Sequence, residues 1–426
     1  MQAVHPLREA LHHEVHARPY ERLAAPLVLS HVAMVNGDGR ASREHLSALL
    51  AQRHLPVPAG DLNHVSADIG GVQLRWELHG EFQTCTFWKQ LPEMPTGFDD
   101  APLRDVPHDW LMSQPGQWLV GLHVLVKPAM GEHAELPPLV RQSLDDETLV
   151  GARVMEGAAE VYTDFRLQGD GFARWVVIVH DVSTPRRLGR LVQRLLEVET
   201  YRMMALLGLP VAREVGAALV GAEKALAEVA ERIRHAQPSE EPELLRRLTE
   251  LAAEVEGLYA RTHARFSASA AYFELVQRRI EELREERVHN LQTLREFMDR
   301  RLQPAMQTCA WAARRQQALS ERISRVSNLL RTRVEIEQQQ SSRELLDAMN
   351  RRQKVQLMLQ GAVEGLSVFA VTYYGAGLVG YLAKGAKSAG LGVSPDLAVA
   401  IAIPLIAFGV WLGIRRLHHV AQAAAD

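Results

Sequence analysis

Two apolar runs near the C-terminal end constrain this chain more than any other feature. From Gly361 to Ala383 it reads GAVEGLSVFAVTYYGAGLVGYLA, with Glu364 as its one charge. From Leu397 to Ile414 it reads LAVAIAIPLIAFGVWLGI, with none. A helix needs about 20 mostly apolar residues to cross the hydrocarbon core of a bilayer. Helices apolar on every side suit lipid better than the surface of a globular protein. The spacing therefore predicts a two-helix transmembrane hairpin within residues 355–418, with spans at 361–383 and 397–414. The other reading is a pair of buried helices in a soluble core.

The flanking charges give an orientation. Arg351, Arg352 and Lys354 precede the first run, and Arg415 and Arg416 follow the second. Lys384 and Lys387 in the connection are partly offset by Asp396. Basic residues thus gather at the outer ends, which the positive-inside rule places in the cytoplasm. The N-terminal stretch MQAVHPLREALHHEVHARP is polar and His-rich, unlike a cleavable signal peptide. The expectation is a large cytoplasmic part, a hairpin in the membrane, and a cytoplasmic tail at 419–426. Mean hydropathy is slightly negative despite the apolar runs, so most of the chain faces water. A net charge of -3 offers no basic field for nucleic acid. Two cysteines far apart, Cys85 and Cys309, exclude a disulfide framework and a Cys-based zinc site and suit a reducing compartment.

Residues 1–185 read as an α+β domain. A short helix is expected over Leu7–Val15, and a strand over Leu27–Val35, closed by a turn at 36–39. Another helix is expected over Arg43–His54. Val72–Leu78 and Phe82–Trp88 alternate as a hairpin. Trp118–Val126, Ala159–Leu167 and Phe172–His180 are further strands, giving five or six, largely antiparallel. From 186 to 354 the pattern is that of a helical, coiled-coil-like stalk without strands. Its helices are expected at Arg187–Leu207, Glu214–His235 and Leu244–Leu302, broken by Pro304, with near-heptad spacing of Val276, Ile280, Leu283, Leu291, Leu294 and Met298. Ala305–Gln360 holds neither Gly nor Pro and leads straight into the first apolar run.

Candidate sites are few. His12 and His16 share a helix face and form either a metal pair or part of a polar interfacial helix. Asp164 and Arg166, two apart in a strand, point to one side as a ligand-binding pair or a structural ion pair. Glu197, Glu199, Tyr201 and Arg202 are positioned to receive them at a domain junction. Glu364 either lines a conduit or reaches the headgroups. Gly361 and Gly365 stand four apart, and Thr372, Ala376 and Gly380 repeat that spacing, which favours close helix packing. Tyr373, Tyr374, Gly375 and Gly377 complete the membrane or pore candidates. No phosphate loop, GxSxG, CxxC or HExxH occurs, so no enzyme is expected and no cofactor is assigned.

The stretches EVHARPY (14–20), WELHGEFQTCTFW (76–88), TDFRLQGDGFARW (163–175) and RLVQRLLEVETYRMMALLGLPVAR (190–213) resemble a bacterial family known only as domain of unknown function 3422. The resemblance spans nearly the whole chain and implies a multi-pass protein of the bacterial inner membrane, with no assigned catalytic residue. The architecture also resembles the CorA-type magnesium channels. Those carry Gly-Met-Asn at the outer end of the first membrane helix; here Tyr374-Gly375-Ala376-Gly377 lies mid-segment, and Met and Asn are absent. The expected function is a membrane-anchored interaction or scaffold protein whose protein partner stays open; the alternative is an oligomeric CorA-like ion channel or transporter. A homo-oligomer through the stalk and membrane helices is expected.

Overall fold

The computed structural model describes residues 4–9, 11–12, 20–35, 38–58, 60, 62–131, 135–181, 184–389, 392 and 394–423. In chain order come β1 (Leu27–Val35), α1 (Gly39–Gln52), β2 (His64–Asp68), β3 (Gln73–Leu78) and β4 (Phe82–Gln90). A 3-10 turn (Pro102–Asp105), α2 (His108–Met112), β5 (Gln117–Pro128) and α3 (Pro138–Ser143) follow. Next are β6 (Val150–Val154), β7 (Ala159–Thr163) and β8 (Ala173–Val179). The rest is α4 (Pro185–Leu206), α5 (Gly208–His235), α6 (Glu241–Leu283), β9 (Glu286–Arg287), α7 (Leu294–Ser388) and α8 (Pro395–Ala423). The fold is a mixed α+β sheet domain followed by a long helix.

The alternating stretches of the sequence are strands, and the β3–β4 hairpin forms as expected. The sheet is larger than five or six strands. Among the described residues nine strands run in the order β2-β3-β4-β1-β5-β8-β7-β6-β9. Neighbours are antiparallel except β5 and β8. The additional strands carry weak signals: β2 is a half-exposed edge, β6 (VGARV) is interrupted by Gly151, and β9 is two residues between helices. Helix α1 starts four residues before the expected Arg43, because Asp38 Oδ1 accepts from the Arg40 and Ala41 N–H groups at 3.0 and 3.1 Å. Gly39 is therefore helical rather than part of a turn.

One face of the sheet presents Leu27 and Leu29 of β1, Leu122 and Val124 of β5, and Trp175 and Val177 of β8. These share a single core with Leu188, Leu191, Val192 and Leu195 of α4, and with Leu283 and Leu294. Each such residue contributes about 1.5–3 kcal/mol on full burial. Residue 185, the junction read from sequence, is the first of α4, and this core runs through it. The opposite face packs on α1 through Leu46, Leu49 and Leu50, and on α3 through Leu139 and Val140.

Helices α5, α6 and the first part of α7 pack on one another. The buried residues of α5 are Gly208, Ala212, Val215, Leu219, Ala222, Leu226 and Val229, alternating four and three apart. Arg315 Nε donates to Glu223 at 2.7 Å, and Thr262 to Gln316 at 3.4 Å. A Cβ at Gly208 would press on Ser269, so glycine lets these helices approach. Gly208 thus opens α5 instead of only ending α4. The break expected at Pro304 is not there: Pro304 lies inside α7. The chain turns instead at 284–293, where Arg284, His289 and Asn290 take left-handed φ values. Met298, Leu302 and Met306, all buried, hold the helix across the proline.

The chain divides into two compact units, one of Met1–His235 with Glu243–Ser327, the other of Ala236–Pro242 with Asn328–Asp426. In the second unit Arg333 pairs with Glu241 at 2.7 Å and donates to the Ala236 carbonyl at 3.0 Å. There, Phe369, Tyr373, Leu378, Leu405 and Phe408 are exposed. Among the described residues three helical stretches are long and apolar enough to cross a membrane: Pro185–His235, Leu294–Ser388 and Pro395–Arg416. In the first of them, Leu188, Leu191 and Leu195 belong to the sheet's core.

Candidate functional site

A cavity of about 320 Å³ opens between the sheet and α4. Its floor is the face formed by β1, β3 and β4. Strand alternation brings Leu29 and His31, Arg75 and Glu77, and Phe82, Thr84, Thr86 and Trp88 to that one side. Its roof is the α4 stripe Gln193, Glu197 and Tyr201, four apart along the helix, with Thr200 beside them. Tyr20 and Glu21 close one end, and Arg279 and Glu282 of α6 another. A Cβ at Gly189 would overlap the Glu21 carbonyl oxygen, so this glycine lets the segment at Glu21 cross α4.

His31 lies at the centre of β1. Its Nδ1 is 2.8 Å from Thr86 Oγ1 and its Nε2 is 3.0 Å from Thr200 Oγ1. Burial pushes the imidazole down to about 4, so the ring is neutral at neutral pH. Arg75, also buried, donates to Glu77 at 2.9 Å and stands 3.8 Å from Glu21. Burial alone would raise the Glu77 carboxyl, but the Arg75 hydrogen bond and charge outweigh it and hold Glu77 below the usual carboxylate range. On the helical side Arg194 donates to Glu282 at 3.0 Å, and Arg279 bridges Glu197 and Glu282. Arrayed hydroxyls, guanidiniums and carboxylates around one void can hold a small polar molecule.

A second constellation lies on the other face of the sheet. Ser30 Oγ and His123 Nδ1 are 2.8 Å apart, and His123 Nε2 is 3.9 Å from Asp170. Ser30 is fully buried, so no substrate reaches its hydroxyl. His123 stacks on Phe172 at 4.3 Å, and burial pushes it down to about 4. The group joins β1 to β5.

The residues singled out from sequence fall elsewhere. His12 is exposed, and His16 lies outside the described residues. Among the described residues no three His, Cys, Asp or Glu side chains gather as a metal site. Asp164 and Arg166 do not pair through their side chains. β7 ends at Thr163, Phe165 takes a φ of 53°, and the two side chains diverge. Asp164 is buried and accepts from the backbone N–H groups of Asp145 and Arg166 at 3.2 and 3.0 Å, whereas the Arg166 guanidinium pairs with Asp145. Glu199 pairs with Arg202, whose guanidinium sits 5.2 Å over the Phe165 ring. Glu197 and Tyr201 face the cavity instead. In α7 a Cβ at Gly375 would lie 3.2 Å from Ile406, and one at Gly380 3.2 Å from Val399. Gly361, Gly365 and Gly377 have nothing within 4 Å. Tyr373 and Tyr374 are exposed, Thr372 bonds back to the Val368 carbonyl at 2.7 Å, and Glu364 accepts from Gln360 at 3.3 Å.

Sequence reading missed His31, Arg75, Glu77, Thr84 and Thr86 because the polar side of the β3–β4 hairpin resembles a solvent face. A signal was present: a histidine centred in the apolar run LVLSHVAMV, and a polar stripe at 193, 197 and 201 along an amphipathic helix.

Sheet, packed helices and C-terminal helices define a protein with an α+β unit and candidate membrane spans. The family model described as "Protein of unknown function (DUF3422)" matches residues 3–421, and the chain belongs to that family. No curated protein and no solved structure matches it.

Proposed function

We propose that the chain is a membrane-anchored interaction protein of the bacterial inner membrane, with its sheet-bearing unit in the cytoplasm. The observation that carries this reading is α7, one unbroken helix from Leu294 to Ser388 whose early residues are buried and whose late apolar residues are exposed. Exposed apolar surface on this scale is unstable in water and suits lipid or another protein chain. The late part of α7 and α8 form an antiparallel membrane hairpin, with Gly375 and Gly380 admitting Ile406 and Val399. The heptad-like stripes of α5 and α6 make the preceding helices a coiled-coil-like stalk. Both termini are cytoplasmic, as the basic flanks require.

Single cysteines at Ser388 and Ala425, probed with an impermeant thiol reagent in cells permeable only at the outer membrane, test the topology. The native Cys85 and Cys309 are buried and give little background. Labelling at Ser388 and not at Ala425 is expected; the reverse overturns the reading.

A second reading is an oligomeric CorA-like conduit. It is favoured by Gly361 and Gly365, whose added Cβ would meet nothing within 4 Å among the described residues, next to the polar Glu364 and Ser367. A second copy packed there would bury both glycines and bring Glu364 toward a shared axis. Cation flux into proteoliposomes, lowered in Glu364→Gln, would support it. A well-folded oligomer without flux would remove it.

A further inference from the structure

The cavity under α4 carries polar groups on a sheet face that is apolar elsewhere, and its charges do not cancel. Three guanidinium groups, Arg75, Arg194 and Arg279, line it together with four carboxylates, Glu21, Glu77, Glu197 and Glu282. Each guanidinium is already engaged. Arg75 serves both Glu77 and Glu21, Arg194 serves Glu282, and Arg279 serves Glu197 and Glu282. Counting guanidiniums and carboxylates alone, the lining holds one negative charge in excess, and at the Arg75 end two carboxylates face one guanidinium. An anion entering here would meet four carboxylates.

Gln193 gives an independent observation. Its Nε2 donates to Glu197 at 2.9 Å, which fixes the orientation of the amide. Its Oε1 is buried without a hydrogen-bond donor. A buried acceptor left in this state costs free energy that an entering N–H group recovers. The rings of Tyr20, Phe82, Trp88 and Tyr201 also line the void, and aromatic faces attract cations. At about 320 Å³ the space fits a molecule of a few heavy atoms.

We infer that this cavity binds a small organic cation, a protonated aliphatic amine whose N–H groups supply Gln193 Oε1 and whose charge offsets the surplus carboxylate at Glu21 and Glu77. The inference goes beyond the membrane-anchor reading and does not depend on it, since every residue invoked lies in the sheet-bearing unit.

The test is isothermal titration of the full-length protein in detergent with 1,4-diaminobutane, using succinate as the counter-probe. One diamine per chain is expected to bind, and succinate is not. Gln193→Leu removes the acceptor at similar volume and should weaken diamine binding about tenfold. Glu21→Gln, at a partly exposed position, should also weaken it and stands in if Gln193→Leu lowers the yield of folded protein. Absence of diamine binding overturns the inference, as does preference for succinate. Diamine affinity unchanged in folded Gln193→Leu or Glu21→Gln protein places the amine elsewhere and overturns it too.

Discussion

His31 Nε2 and Thr200 Oγ1 lie 3.0 Å apart, although 169 residues separate them in sequence. The contact joins the middle of β1 to α4, and Thr86 holds the other ring nitrogen at 2.8 Å. Two hydroxyls thus satisfy a neutral imidazole in a place where an imidazolium would be poorly solvated.

Acid should therefore loosen the sheet-bearing unit. Burial pushes both His31 and His123 down to about 4. The unfolded chain takes up these protons at higher pH, so the contribution is full above about 6.5 and is lost as pH falls toward 4. The limit is about 3 kcal/mol for each histidine. Glu285 runs the other way. Burial pushes its carboxyl up to about 7, so its contribution is full at low pH and fades as pH rises through 7. Denaturation midpoints at pH 7, 5.5 and 4.5 should fall for wild type and fall less for His31→Gln. Parallel curves for the two proteins would remove His31 as a source of the acid sensitivity.

A fragment of residues 1–185 should not hold the native sheet. It lacks Leu188, Leu191 and Leu195 of α4, and Leu283 and Leu294 beyond them. It also lacks β9, which pairs with β6 through Glu286 and Arg287. The expected result is a fragment with poorly dispersed amide resonances and strong binding of a hydrophobic dye. A fragment through Ser327 should be well dispersed. A native-like spectrum from 1–185 would show that β1–β8 bury enough core alone.

Gly189→Ala should reshape the cavity. The added Cβ would overlap the Glu21 carbonyl, which belongs to the backbone and has no rotamer to escape into. A loss of about 1–3 kcal/mol is expected, as for other overpacked sites, seen as a lower unfolding temperature. Gly216→Ala, at a helical glycine with open space around it, serves as the control and should be neutral or slightly stabilising.

Two glycines of α7 should separate folding from assembly. Gly375→Leu intrudes on Ile406 within the chain, whereas Gly365→Leu meets nothing in its own chain. Light scattering in detergent should then show Gly365→Leu as a folded species of lower mass, and Gly375→Leu as a destabilised protein. An unchanged mass for Gly365→Leu would exclude that glycine from the subunit contact.

Much of the fold is legible in the sequence wherever a single local rule operates. LVLSHVAMV announces itself as an apolar run closed by a turn, the β3–β4 hairpin by alternation, and α4 by its apolar stripe. The break between α6 and α7 was legible as well, at a place easily passed over. Thr293 and Glu296 form a reciprocal cap, with Glu296 accepting from the Thr293 N–H at 3.1 Å and Thr293 from the Glu296 N–H at 3.2 Å. The spacing Thr-x-x-Glu marks that helix start more reliably than Pro304 marks an end, because the packing of Met298, Leu302 and Met306 outweighs the lost backbone bond. The cavity was not legible. Whether Arg75, Glu77, Thr84 and Thr86 face water or a helix depends on where α4 lies, and alternation along β3 and β4 is the same in either case.

Strand β9 also sets an order of events during synthesis. The sheet's last strand leaves the ribosome only after α6 has been made, and both apolar runs follow it. Domains fold as units during synthesis, so this sheet completes late, yet ahead of both C-terminal apolar runs. By the time those runs are made, every strand of the sheet among the described residues has been synthesised. A ribosome stalled between Arg287 and Gly361 would carry a sheet with all its described strands and neither C-terminal apolar run.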